Sequence, residues 1–92
     1  MKLTVYSKTH CPYCVKAKQY LTNLGIDYED INIEEDTAAK DFVVAQGHRT
    51  VPQIYFQGRL FVEGGCDGLT GMSREEITSE LELRNELSNG TL

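Results

Sequence analysis

With 92 residues, the chain has room for one hydrophobic core and not for two. Its 40% apolar and 25% charged residues describe a chain that folds, and nine Lys and Arg against fourteen Asp and Glu, a formal charge of -5, exclude the basic field that draws in nucleic acid. No stretch approaches the roughly 20 apolar residues of a membrane helix, and Met1 to Tyr6 lacks the apolar core and cleavage site of a secretory signal.

Leu3 and Val5 alternate with Thr4 and Tyr6, so the first predicted element is a strand that ends at Ser7. After a loop to Cys11 the period changes. Cys14, Ala17, Leu21 and Leu24 recur at helical spacing behind Pro12 and ahead of Gly25, which predicts a helix opening at the cysteine pair. Ile26 to Ile33 alternates as a second strand, and Ala38, Phe42 and Ala45 mark a second helix that Gly47 stops. Gln53–Phe56 and Arg59–Val62 read as a hairpin across Gln57-Gly58. Beyond Gly64-Gly65, Cys66 to Met72 holds a short helix, and Ser73 with Glu76 forms a capping box for a last helix reaching about Leu87. Its apolar residues Ile77, Leu81, Leu83 and Leu87 give a partial stripe, so loose packing is expected. The order βαβ then ββα predicts one α/β domain over residues 1–92, with a four-stranded mixed sheet flanked by helices and a frayed tail over 88–92.

The chemistry concentrates at Cys11-Pro12-Tyr13-Cys14. Three cysteines, an odd number, do not build a secreted disulfide framework; they suit a reducing, cytoplasmic setting, where a close pair is catalytic or metal-binding. A zinc site usually needs four ligands, and only Cys66, His10 and His48 remain without a second pair at ligand spacing, so no metal is expected. For redox work the thiolate is the reactive species, and a sulfur at a helix N-terminus faces unpaired N–H groups and the positive end of the helix dipole. Lys8 adds a nearby cation. Cys14 lies one turn on, within disulfide reach, and faces the sheet while Cys11 is expected to be exposed; Cys11 therefore attacks and Cys14 resolves. Pro52 is either an ordinary turn or edge residue or, beside a thiol-bearing unit, a cis proline that turns the Val51 backbone toward an extended peptide ligand. Gly64-Gly65-Cys66-Asp67 reads as a turn feeding a helix N-terminus suited to a carboxylate, or as a plain loop capped by Asp67. Cys66 is a second thiol or, more simply, a small semi-buried residue.

Together, Tyr6-Ser7-Lys8 ahead of Cys11-Pro12-Tyr13-Cys14, Thr50-Val51-Pro52-Gln53, and Gly64-Gly65-Cys66-Asp67 closely resemble the glutaredoxin family from Leu3 to about Leu69. The resemblance implies a thioredoxin-like fold and an enzyme, a monomer without a tightly bound cofactor, that uses glutathione as co-substrate. Its substrates would be glutathione mixed disulfides and protein disulfides such as that of ribonucleotide reductase. It places Lys8, Tyr13 and Arg49 near the glycine carboxylate of glutathione, Thr50, Val51 and Pro52 along its cysteine, and Gly65, Cys66 and Asp67 at its γ-glutamyl end. Gly68 departs from the pattern, standing where many relatives carry a second acidic residue, and the stretch after Met72 matches the family poorly.

Overall fold

The computed structural model describes residues 1–88, in the order β1 (Leu3–Ser7), α1 (Pro12–Asn23), β2 (Tyr28–Asn32), α2 (Thr37–Ala45), β3 (Gln53–Phe56), β4 (Arg59–Val62), α3 (Gly65–Thr70) and α4 (Arg74–Ser88). Ser88 closes α4, and the rest of the expected tail lies outside the described residues. All eight elements fall where the sequence patterns put them, with β2 trimmed to five residues.

The four strands form one sheet in the order β2-β1-β3-β4. β1 runs parallel to β2 and antiparallel to β3, and β3 is antiparallel to β4. Leu3, Val5 and Ser7 point to one face of β1 and are buried, whereas Thr4 and Tyr6 point to the other and are half-buried, the period-2 signature of a strand. The β3–β4 connection places Gln57 at φ 51° and Gly58 at φ 80°, the two positive φ values that a type I′ hairpin turn requires.

One face carries the main core. Ala17 and Leu21 of α1, Leu69 of α3, and Ile77 and Leu81 of α4 pack on Leu3, Val5, Ile54 and Phe56. α2 covers the other face through Phe42, whose ring meets Tyr6 at 5.7 Å and Tyr55 at 5.3 Å. The α2 face differs from expectation by one position: Ala39 and Val43 are the buried residues, while Ala38 and Ala45 are exposed. Asp36 caps the helix, its carboxylate accepting from the Ala39 N–H at 3.0 Å.

α4 is anchored more firmly than its sequence suggests. The capping box closes in both directions, Glu76 N–H to Ser73 Oγ at 3.1 Å and Ser73 N–H to Glu76 Oε1 at 2.8 Å. Farther along, the Arg84 guanidinium donates to the carbonyls of Leu60 at 2.7 Å and Phe61 at 3.1 Å, and lies 5.0 Å over the Phe61 ring. Those carbonyls belong to β4, the strand at the sheet edge, so Arg84 fills hydrogen-bonding positions that another strand would otherwise use. Leu83 and Leu87 remain exposed, at 51% and 71%.

Candidate redox site and adjoining groove

β1 ends at Ser7, and the loop to Cys11 includes His10 at φ 57°, a left-handed conformation uncommon for a residue with a side chain. That reversal delivers Cys11 as the N-cap of α1, with Pro12 at the first helical position. A cap residue normally offers an oxygen to an unpaired N–H of the first turn. Here sulfur takes that place: the Cys14 N–H donates to Cys11 Sγ at 3.2 Å. Cys11 and Cys14 form a disulfide, their Cα atoms 5.2 Å apart.

The expected difference in exposure between the two thiols is small. Cys11 is 7% exposed and Cys14 1%, because the N-cap is tucked beneath Val51, whose carbonyl oxygen lies 3.8 Å from Cys11 Sγ. What separates the two sulfurs is the hydrogen bonding. Once the disulfide is reduced, the Cys14 N–H and the start of a twelve-residue helix would stabilise an anion on Cys11. Cys11 is therefore expected to titrate below the ordinary thiol value of about 8.5. Alkylation rate against pH in a protein lacking Cys14 and Cys66 checks this, and a midpoint at the ordinary value removes the basis for an activated Cys11.

A groove of about 570 Å³ runs from beside the pair to the start of α3. Of the sequence-predicted residues, Tyr13, Thr50, Val51, Pro52, Gly65, Cys66 and Asp67 all line it. The Val51-Pro52 bond is cis, as the motif suggested. Two predicted cations lie elsewhere. Lys8 lines a separate groove of about 630 Å³, together with Cys11, Cys14, Lys18 and Asp30. Arg49 is exposed and is not among the residues lining the first groove.

The groove also includes His48, Gln53, Leu60, Glu63 and Gly64, which were not among the predicted site residues. Gln53 and Gly64 sit inside quoted motifs, but nothing local marks the other three. His48 is brought in by its hydrogen bond to the Tyr55 hydroxyl at 2.7 Å, and Leu60 and Glu63 by the hairpin. Cys66 is 4% exposed, and burial pushes its thiol pKa up, with Asp67 adding to the rise and Lys16 opposing it. In the second groove Asp30 is partly desolvated, which would raise its pKa, yet hydrogen bonds from Lys18 at 2.8 Å and from Ser7 prevail and hold the carboxyl below its usual range. The predicted carboxylate site at the start of α3 rests on a helix of only six residues, so its macrodipole is small.

A redox pair at a βα junction, flanked by a cis proline and a ligand-sized groove, defines a thiol–disulfide oxidoreductase of the thioredoxin-like fold. The glutaredoxin family model matches residues 3–61, and the chain belongs to the glutaredoxin family. The match ends before Gly64-Gly65-Cys66-Asp67. A glutaredoxin of Vernicia fordii is 39% identical over 77 residues, covering 79% of this chain and 72% of that protein. Among solved structures, a buckwheat glutaredoxin–glutathione complex superposes with a TM-score of 0.69 at 29% identity, covering 87% of this chain and 76% of the other. The NrdH-redoxin of Escherichia coli, a glutaredoxin-like protein described as having a thioredoxin-like activity profile, gives 0.64 at 25% identity, covering 86% and 93%.

Proposed function

We propose that this protein reduces glutathione mixed disulfides and protein disulfides at the expense of glutathione, with Cys11 as the nucleophile and Cys14 as the resolving thiol. The observation that carries the reading is the groove beside the cysteine pair, which gathers seven of the residues that the family resemblance assigns to glutathione. The buckwheat relative's complex with glutathione supports it. In the reaction the Cys11 thiolate attacks the glutathione sulfur of a mixed disulfide, the substrate thiol leaves, and a second glutathione releases the first as glutathione disulfide. For a protein disulfide, Cys11 thiolate attacks one substrate sulfur and the other leaves as a thiol; Cys14 then attacks Cys11 Sγ, releasing the second substrate thiol and closing the Cys11–Cys14 bond, which two glutathione molecules reduce, leaving as glutathione disulfide. Ribonucleotide reductase is one protein disulfide suited to this chemistry, and the cysteine usage supports work in the cytoplasm.

The test is turnover of a glutathionylated peptide in the presence of glutathione and glutathione reductase, beside the same protein supplied with a flavoprotein thioredoxin reductase. Turnover in the first system is expected. Reduction by the flavoprotein alone, the behaviour of a thioredoxin-like redoxin, would refute the glutathione reading.

A further inference from the structure

Both redox sulfurs open on the second groove: Cys11 and Cys14 line it, and neither lines the first. The same groove holds a polar network that the reaction as described does not use. The buried Ser7 hydroxyl donates to Asp30 Oδ1, and the Lys18 ammonium donates to Asp30 Oδ2 at 2.8 Å.

The backbone brings this network to Cys14 from three elements. Cys14 and Lys18 stand four residues apart on α1, so their side chains share a face. Ser7 ends β1 on the face that α1 covers, and Asp30 of β2 is in register with Val5 on that same face. An ammonium and a carboxylate therefore sit on the side of the fold where the resolving sulfur is buried. The other titratable side chains lining the groove are Lys8, His10 and Cys11 itself, and Glu34, in the turn after β2, faces Lys8 and His10.

The two charges act on Cys14 with opposite sign. Alone, the Lys18 ammonium would favour a Cys14 thiolate, and the reduced protein would carry two neighbouring nucleophiles in place of one. Asp30 offsets that field. Burial would raise its pKa, but the hydrogen bonds from Lys18 and Ser7 hold the carboxyl below its usual range, so it stays ionised wherever thiols titrate. It is a fixed negative charge, and too weak a base to hold a thiol proton.

We propose that Asp30 is a positioning residue that keeps the resolving thiol protonated: by holding the Lys18 ammonium and setting its own charge on the Cys14 side, it leaves Cys11 as the one thiolate of the reduced protein. The proposal rests on the roles given to Cys11 and Cys14 above and extends them to the choice between two fates of a Cys11–glutathione disulfide. In one, a second glutathione releases the first. In the other, Cys14 loses its proton to solvent and attacks Cys11 Sγ, glutathione leaves and takes up a proton, and the Cys11–Cys14 bond closes. Asp30 favours the first.

The experiment titrates Cys14 by thiolate absorbance in a protein carrying Cys11→Ser and Cys66→Ser, where it is the remaining thiol. Asp30→Asn, which keeps the shape of the side chain, is expected to lower the midpoint by about one pH unit, and Lys18→Met to raise it by a similar amount. Combined, the two substitutions largely cancel. A network that only fastens α1 to the sheet would lower the thermal midpoint of both variants without opposite shifts in titration. If Asp30→Asn does not fold, Lys18→Met decides alone, and a fall or no change in its midpoint overturns the proposal. A second measurement uses the intact cysteines: reduced protein is mixed with excess glutathione disulfide, quenched with acid, and weighed by mass spectrometry. Asp30→Asn lowers the ratio of glutathionylated protein to Cys11–Cys14 disulfide by up to about ten-fold, the change in thiolate fraction for one pH unit, and Lys18→Met raises it. Shifts of one sign in both variants, or none, overturn the proposal and leave the glutathione reading standing, since the titration involves no glutathione. That reading falls separately, if the wild type fails to turn over a glutathionylated peptide.

Discussion

Replacing Cys11 with serine is expected to abolish disulfide reduction altogether, whereas Cys14→Ser retains turnover of small glutathione mixed disulfides and loses reduction of protein disulfides. A serine hydroxyl at the α1 N-cap still accepts the Cys14 N–H, so the helix start survives, but the oxygen is not ionised near neutral pH and cannot open a disulfide. Stability and activity are thus separated in one variant. Cys14 enters only when the substrate is a protein disulfide, because a glutathione mixed disulfide on Cys11 can be released by an external glutathione. The measurement is steady-state turnover of a glutathionylated peptide and of a disulfide-bonded protein by each variant. Equal loss in both variants, or survival of activity in Cys11→Ser, would reverse the assignment.

The second large effect is on stability. Ile77 of α4 is fully buried and packs into the main core with Leu81 and Leu69, so Ile77→Ala should cost about 2–5 kcal/mol, the usual range for a large aliphatic truncated in a packed core. For a domain whose total stability is about 5–15 kcal/mol, that loss is severe. Leu83→Ala on the exposed side of the same helix is expected to stay within about 0.5 kcal/mol. Denaturant unfolding of the two variants gives both numbers. A small change at Ile77 would mean that α4 packs as loosely as its partial apolar stripe predicts. The Arg84 clamp on the β4 carbonyls and the Arg74 contact with the Leu24 carbonyl at 2.8 Å argue for firm attachment.

The element order, the hairpin turn, the capping box and the helix opening at Cys11 were all legible in the chain itself. Each is decided within a few residues: by side-chain period, by a glycine that admits positive φ, by a proline at N1, or by a serine and glutamate three apart. The same locality explains how much of the site could be read. Cys11, Cys14 and the residues of Thr50-Val51-Pro52-Gln53 and Gly64-Gly65-Cys66-Asp67 carry backbone requirements visible in their own motifs.

Tertiary structure decided what no local motif encodes. The α2 face was set by packing on the sheet, where Phe42 meets Tyr6 and Tyr55, and the similar burial of the two cysteines by the Val51 backbone over Cys11. Lys8 lines a different groove from Tyr13 and Val51, because the loop between β1 and α1 reverses at His10. Glu63 and His48 face the groove only because β3 and β4 lie side by side and α3 folds back against the strand end, bringing segments around residues 13, 50 and 65 to one surface. The redox chemistry of this protein is thus written at a helix terminus, a local feature of the chain. The charge of its ligand groove depends on contacts between residues far apart in sequence, which exist only once the sheet has formed.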